Sequence, residues 1–209
     1  MESEYKWEKS YTDAHGYLLP AIKAVFKKYN VSQNAFILDA GCGGGFISGM
    51  LYKEGYLNIY GFDLSNTGID TAKKTFPNIS PRFSVHDAYE TKLPEEFPKK
   101  YDIIISIEVI EHLYYPRLYL DNIHNWLNNK GILILTTPYH GYLKNLAIIL
   151  TGNFDKHFNP LWDYGHIKFF SKRTISKLLL EKNFEIKEIV GVGRAKYLWK
   201  SMIVIAQKM

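Results

Sequence analysis

The stretch Ile37-Leu38-Asp39-Ala40-Gly41-Cys42-Gly43-Gly44-Gly45 decides the fold, because a short apolar run ends in a cluster of glycines. Residues 35–39 predict a buried strand, and residues 46–53 predict a helix. Four glycines within five residues exceed what a strand-to-helix turn requires. They also let a ligand approach the backbone with no Cβ in the way. We therefore predict a ligand-binding loop at this point.

The same alternation of strand and helix continues along the chain. The pattern predicts an N-terminal helix at 11–30, a helix capped by Ser65, a helix at 117–127 and a helix capped by Ser171. Further strands are predicted at 59–63, 82–86, 101–107, 131–136, 184–190 and 199–206. Such alternation predicts an α/β fold with a doubly wound, mostly parallel sheet and helices on both faces. We expect residues 1–209 to form a single domain, with a substrate cap at about 138–170.

Composition excludes several classes of protein. A chain that is 46% hydrophobic and 22% charged is typical of globular domains, and its one cysteine, Cys42, excludes a disulfide framework. The net charge of +5 would suit nucleic acid, but only four arginines are present, so we do not favour that partner. The first 16 residues lack the apolar core of a secretory signal, and no 18-residue apolar run occurs. We expect a cytoplasmic protein.

Three aspartates follow predicted strands at equal spacing. Asp39, Asp63 and Asp87 are 24 residues apart, although each alone is more often a helix cap. A carboxylate after the second strand can accept hydrogen bonds from ribose hydroxyls, and one after the third strand can reach an adenine amino group. The loop does not match the dinucleotide-binding pattern G-x-G-x-x-G, because the position of the third glycine is occupied by Phe46. The acidic Asp39 before the loop suits a cationic ligand better than a pyrophosphate.

These motifs resemble those of the class I S-adenosylmethionine-dependent methyltransferases. The resemblance rests on ILDAGCGGG (37–45), IYGFDLS (59–65), HDA (86–88), YDIIIS (101–106) and GILILTTP (131–138). It implies a seven-stranded Rossmann-like sheet whose last strand is antiparallel. It also implies a cofactor site formed by Asp39, Gly41, Cys42, Gly43, Asp63, Leu64, Asp87, Ala88 and Ile107. Leu64 would join Asp63 at the ribose, and Ala88 would join Asp87 at the adenine; a nucleophilic role for Cys42 is not expected.

Two carboxylates and an imidazole follow the fourth strand, where the transferable methyl group should point. A helix here would bring Glu108, Glu111 and His112 to one face. The two glutamates could simply stabilise a helix N-terminus. His112 could be part of the packed interior, or it could act alone as a general base. Alternatively, the three could bind Mg, Mn, Fe or Zn and so activate an acceptor hydroxyl.

The element EVIEH (108–112) resembles that of two methyltransferase groups. These are the ubiquinone-biosynthesis O-methyltransferases and the small-RNA 3′-terminal 2′-O-methyltransferases. The resemblance implies a divalent metal on Glu108, Glu111 and His112. The RNA enzymes add a downstream histidine, for which we choose His166 over His140 and His157.

Apolar residues recur at helical spacing over 142–150, within the predicted cap. They could form a core helix, a substrate lid or a helix on a membrane surface. The stretch 136–170 resembles the matching region of the quinone enzymes, which favours an aromatic or lipid-like acceptor and a location peripheral to the membrane. Those enzymes have a cofactor-contacting arginine near the N-terminus, whereas no arginine precedes Arg82 here. Aromatic side chains could cover the cofactor instead, namely Tyr5, Trp7, Tyr11 and His15.

The sequence thus predicts an S-adenosylmethionine-dependent methyltransferase that acts on a hydroxyl of a small aromatic, lipid-like or sugar acceptor. Glu108, Glu111 and His112 would activate that acceptor, directly or through a metal. Two alternatives stay open: an RNA 2′-O-methyltransferase, and a scaffold that binds the cofactor without chemistry. N-methylation is also open, and the oligomeric state is not predicted.

Overall fold

The computed structural model describes Trp7 and residues 9–209. Seven strands form one sheet in the order β3-β2-β1-β4-β5-β7-β6. The strands are β1 Ile37–Ala40, β2 Ile59–Asp63, β3 Phe83–Val85, β4 Tyr101–Ile107, β5 Leu127–Pro138, β6 Phe184–Val192 and β7 Ser201–Lys208. The α-helices are α1 His15–Lys28, α2 Phe46–Lys53, α3 Asn66–Thr75, α4 Pro116–Trp126, α5 Tyr142–Leu150, α6 Phe154–His157 and α7 Lys172–Glu181.

The sheet has the predicted mixed character. Strands β1 to β5 pair in parallel, whereas β7 lies antiparallel between β5 and β6. A parallel partner would need a long crossover, but the chain reaches β7 directly from the adjacent β6 and therefore runs in the opposite direction. The predicted fold class is confirmed.

Alternate side chains of the central strands enter two separate cores. On β4, Ile103, Ile105 and Ile107 pack with α1, α2 and α3 on one face of the sheet. Ile104 points to the other face and packs with α4 and α7. Every residue of β4 except Asp102 is buried, as is expected for a strand that helices cover on both sides.

Two local predictions differ from the structure. The N-terminal helix begins at His15 rather than at residue 11, where the Thr12 backbone N–H donates to His15 Nδ1 instead. The helix expected across 108–112 is limited to a 3₁₀ turn over Ile110–His112, and Glu108 has a φ of 54°. This left-handed residue turns the chain away from β4, so Glu108 does not share a helical face with Glu111.

Candidate active site

The predicted cofactor residues lie along one edge of the sheet. Strands β3, β2, β1 and β4 are neighbours and run parallel, so their carboxyl ends lie side by side. With about 4.8 Å between strands, this edge spans about 14 Å. The order of the strands reverses between β1 and β4, which is where open α/β sheets bind ligands.

The glycine loop needs its glycines for backbone shape. Gly41, Gly43 and Gly45 have φ values of 88°, 50° and 74°, which side chains disfavour. The Gly41 and Cys42 N–H groups both donate to Phe62 O, at 2.9 and 2.8 Å, so β2 holds the loop at the end of β1. The Gly43 N–H donates to Asp63 Oδ2 at 2.8 Å, which fixes the loop against the predicted ribose ligand.

Trp7 lies across this loop. A Cβ added to Gly43 would overlap the Trp7 ring. The Trp7 N–H donates to Thr67 Oγ1 at 3.1 Å, and Thr71 Oγ1 donates to Trp7 O at 3.3 Å, so the backbone of Trp7 is bound to α3. Of the aromatic residues predicted to cover the cofactor, Trp7 therefore contacts the loop, whereas Tyr5 lies outside the described residues.

The three aspartates have different environments. Asp39 is 1% exposed and accepts a 2.6 Å hydrogen bond from Ser48 Oγ. Burial raises the pKa of Asp39 to about 7, although the Ser48 hydrogen bond opposes this shift. Asp63 is half-buried and also accepts from the Ser65 N–H, and Asp87 Oδ1 accepts from the Tyr89 N–H.

The other predicted cofactor residues differ in exposure. Ile107 is buried at the end of β4, Ala88 is half-buried, and Leu64 is 57% exposed after β2. Cys42 is buried, and burial raises the pKa of its thiol well above the usual range, followed by the nearby Asp39. The thiol is therefore protonated at neutral pH, which argues against a nucleophilic role.

Glu108 forms a hydrogen-bonded network at the end of β4. Thr136 Oγ1 donates to Glu108 Oε1 at 2.8 Å, and Ser201 Oγ donates to Oε2 at 3.2 Å. The Tyr17 hydroxyl extends the network, since it lies 2.9 Å from Ser201 Oγ. Burial raises the pKa of Glu108 to about 7 despite these hydrogen bonds.

Glu111, His112 and His166 form a separate cluster. One ligand atom from each lies within 4.8 Å of the others, which is compatible with a metal ion. Glu111 is 0% exposed, and neither carboxylate oxygen has a hydrogen-bond partner among the described residues. Burial raises its pKa well above the usual range, and the charge of Glu108 acts in the same direction. Glu108 is not part of this cluster, so three of the four predicted metal ligands come together.

Both histidines of the cluster are neutral at pH 7. Burial lowers the pKa of His112, and it lowers that of His166 to about 4. His112 Nδ1 lies 2.9 Å from Tyr164 O and 3.2 Å from Gly165 O, so Nδ1 carries the proton and donates to these carbonyls. The lone pair of His112 is then on Nε2, as a metal ligand or a general base requires.

Backbone hydrogen bonds join the two sequence segments of the cluster. The N–H groups of Ile167 and Lys168 both donate to Glu111 O at 2.9 Å. Together with the bonds to His112, they hold residues 164–168 against the 3₁₀ turn after β4. His166 is therefore placed beside residues more than 50 positions earlier in the chain.

Sequence reasoning missed Lys144, Thr136 and Ser201. Thr136 and Ser201 lie on strands whose apolar runs gave no reason to single out a hydroxyl. Lys144 lies on α5 and is 7% exposed. The sequence could have indicated that Lys144 is buried, because it lies four residues before Ile148 and therefore on the same face of a largely apolar helix.

Known proteins with similar sequences are methyltransferases. Residues 12–189 match a family model described as a methyltransferase domain. The ubiquinone biosynthesis O-methyltransferase of Rickettsia bellii is 30% identical over 178 residues, which cover 84% of this chain and 71% of that protein. The mitochondrial enzyme of the same name from Schizosaccharomyces pombe is 29% identical over 80% of this chain and 61% of its own length.

Solved structures agree on the fold. Magnesium protoporphyrin IX methyltransferase from Synechocystis PCC 6803, with bound SAH, superposes with a TM-score of 0.69 and 19% identity. The match covers 92% of this chain and 82% of that one. The glycine loop, the aspartates that follow the strands and the family match together identify the chain as a member of the class I S-adenosylmethionine-dependent methyltransferases.

Proposed function

We propose that this methyltransferase transfers its methyl group to a hydroxyl of a small aromatic, lipid-like or sugar acceptor bound at the carboxyl end of β4. The cluster of Glu111, His112 and His166 carries this proposal, because it offers a base or a metal ligand set at the 3₁₀ turn that follows β4. The R. bellii relative is named an O-methyltransferase, which supports oxygen as the acceptor atom. Residues 138–170 would form the cap over that acceptor, within a single domain.

The donor set of the sheet edge fits S-adenosylmethionine. Asp63 and Asp87 provide carboxylate oxygens for the ribose and adenine, and Asp39 places acidic character below the glycine loop. In this assignment Gly41, Cys42 and Gly43 lie along the cofactor, whose site Leu64, Ala88 and Ile107 complete. The two orphaned oxygens of Glu111 also fit a divalent cation, with His112 and His166 as further ligands. A bound cation would lower the pKa of the acceptor hydroxyl.

In this proposal Glu108 takes part in proton transfer and is not a metal ligand. Its carboxylate accepts from Thr136 and Ser201, which orient it beside the cluster. Its raised pKa of about 7 suits a group that accepts and releases a proton near neutral pH. His112 Nε2 is the base that removes the acceptor proton when no cation is bound.

Replacement of His112 tests this assignment. We expect His112→Ala to reduce turnover by at least about a hundredfold, because a general base or ligand is lost. The dissociation constant for S-adenosylmethionine should stay near the wild-type value. His124→Ala, on α4, is the matched control, and it should retain turnover. Unchanged turnover in His112→Ala would contradict the role.

The same cluster resembles that of RNA-modifying enzymes, but the surface around it favours a lipid-like acceptor. Helix α5 exposes a set of large apolar side chains, and so does the chain that follows it. They are Tyr142, Leu143, Leu146, Ile149, Leu150, Phe154, Leu161 and Trp162. RNA-binding surfaces are instead rich in arginine and lysine.

We propose that this apolar surface contacts a membrane peripherally through residues 142–150. None of the helices in the described part of the chain has the length and apolar character needed to cross a bilayer. Leu150 is 77% exposed and Ile149 is 61% exposed, and no acidic residue occurs in α5. We expect Ile149→Glu combined with Leu150→Glu to abolish flotation with phosphatidylglycerol vesicles while preserving the fold. Equal flotation of the variant and the wild type would contradict the contact.

A further inference from the structure

The indole ring of Trp7 fills a notch between two glycines that belong to different elements. Gly43 lies in the glycine loop, and a Cβ on it would overlap the six-membered part of the indole. Gly68 lies in the first turn of α3, and a Cβ on it would be 3.0 Å from Trp7 Cδ1. Both glycines are buried. The ring therefore contacts the loop and the helix at once, and each glycine leaves space for it.

The glycine at position 68 is not required by the shape of the backbone. Gly68 has no positive φ, unlike Gly43, and a glycine inside a helix is less stable than an alanine. A Cβ at this position would also be 3.2 Å from Gly43 O, so an alanine would press on both the ring and the loop. The packing of Trp7 against the loop therefore gives a physical reason for a glycine in α3.

Two series of contacts lead from Trp7 to Asp63. In the first, the ring lies on Gly43, whose N–H donates to Asp63 Oδ2 at 2.8 Å. In the second, the Trp7 N–H donates to Thr67 Oγ1 at 3.1 Å, and that oxygen lies 3.0 Å from Ser65 Oγ. The Ser65 N–H donates to Asp63 Oδ1 at 2.9 Å. Each carboxylate oxygen of Asp63 is thus held by the N–H of a residue that Trp7 or Thr67 contacts.

We propose that Trp7 is a positioning residue for the cofactor, which fixes the orientation of the Asp63 carboxylate and so sets how strongly the ribose hydroxyls bind. Trp7 acts through Gly43 and Thr67. The inference rests on the proposed assignment of Asp63 to the ribose. Because N–H groups hold both of its oxygens, the carboxylate is restricted in rotation before the cofactor binds. Less conformational freedom is then lost on binding, and the affinity for the ribose rises.

Two ligands that differ only in the ribose hydroxyls test the proposal. They are S-adenosylhomocysteine and its 2′,3′-dideoxy analogue, and calorimetry with the full chain measures the dissociation constant of each. We expect the wild type to bind S-adenosylhomocysteine at least about tenfold more tightly than the analogue, which is the contribution of one hydrogen bond to a charged group. The ratio of the two constants reports on the ribose contact, because a general weakening of the site affects both ligands alike.

Variants of the notch assign the ratio to Trp7. Trp7→Ala should reduce the ratio at least about threefold, whereas Trp7→Phe should keep most of it because a ring still covers Gly43. Gly68→Ala should also reduce the ratio, since its Cβ displaces the indole. Gly16→Ala is the matched control, because it lies at an exposed position of α1 where a Cβ meets nothing within 4 Å. Thermal unfolding of the cofactor-free variants shows which of them fold, and Gly68→Ala carries the test if Trp7→Ala does not.

The outcomes separate this inference from the proposed assignment of Asp63. Asp63→Ala should bring the ratio close to one. An unchanged ratio in that variant would refute the ribose assignment and the inference with it. A ratio that is lost in Asp63→Ala but kept in both Trp7→Ala and Gly68→Ala would overturn the inference alone. Equal losses of affinity for the two ligands in Trp7→Ala would also overturn it, because Trp7 would then support the loop without orienting Asp63.

Discussion

The proposed site has a cofactor half, at the carboxyl ends of β1, β2 and β3, and an acceptor half, at the carboxyl end of β4. The two halves are built in different ways. In the cofactor half, each predicted residue lies in a strand or within a few residues of its end, and the contacts follow from the parallel pairing of neighbouring strands. In the acceptor half, contacts join residues far apart, such as Glu111 with His166 and Lys144 with Lys200. The cofactor half depends on backbone shape and strand order, whereas the acceptor half depends on how the 138–170 segment packs on the sheet. Substitutions in each half should therefore have separable effects.

The largest effect is expected in the cofactor half, from Asp63→Ala. This change removes the predicted ribose acceptor and leaves the Gly43 and Ser65 N–H groups without their carboxylate. We expect the dissociation constant for S-adenosylmethionine to rise about 1,000-fold, or about 4 kcal/mol. Calorimetric titration measures it, with Asp70→Ala on the exposed face of α3 as control. A change below tenfold would show that the loop keeps its shape and its ligand without this carboxylate.

The second prediction concerns the stability of the folded protein, which Asp39→Asn should increase at alkaline pH. Below the unfolded pKa of about 3.8, the carboxyl is protonated in both states. As pH rises, the unfolded state ionises first and the folded state loses stability, up to the folded pKa of about 7. The amide avoids this cost, so we expect the variant to be more stable at pH 8 by about 3 kcal/mol, and nearly unchanged at pH 4.

Denaturant unfolding of the cofactor-free protein at the two pH values measures this difference. Asp70→Asn is the matched control, and it should not change the pH dependence. A destabilised Asp39→Asn variant at pH 8 would mean that the Ser48 hydrogen bond outweighs the desolvation of the carboxylate.

The smallest of the three effects concerns the acceptor half. A saturating divalent cation, Mn²⁺ or Zn²⁺, should stabilise the wild type by about 2 kcal/mol, because a ligand of the folded state shifts the unfolding equilibrium. His166→Ala should lose most of this stabilisation, and His124→Ala should retain it. Thermal unfolding with and without the cation, followed by removal with EDTA, provides the measurement. Equal stabilisation of the His166→Ala variant would place the cation elsewhere.

The sequence predicted the fold and the position of the glycine loop well for the same physical reason. Strand β4 is almost wholly apolar because helices cover both of its faces, and Gly41, Gly43 and Gly45 have positive φ values, which side chains disfavour. These properties are local and can be read from consecutive residues. The bounds of β2, β4 and α2 agree with the prediction, and most other elements differ from it by a few residues at their ends. The helix expected across 108–112 is the exception, since only a 3₁₀ turn forms there.

For the acceptor half, the sequence predicted which types of side chain are present but not how they are arranged. The pattern EVIEH identified two carboxylates and a histidine, but it did not reveal the left-handed Glu108 that separates the first carboxylate from the cluster. The buried position of Lys144 depends on the inner face of α5 and on its hydrogen bond to Lys200 O, and no local pattern encodes that contact. The choice of His166 came from a resemblance, since spacing alone could not distinguish it from His140 or His157.

The two hydrogen bonds that Glu111 O accepts from Ile167 and Lys168 make the cluster depend on the position of one chain segment. His166 belongs to the segment that these bonds hold in place, whereas Glu111 and His112 belong to the sheet edge. Any opening of that segment to admit an acceptor removes one member of the cluster from the other two. The three side chains therefore form one cluster only while residues 164–168 stay hydrogen-bonded to the turn that follows β4.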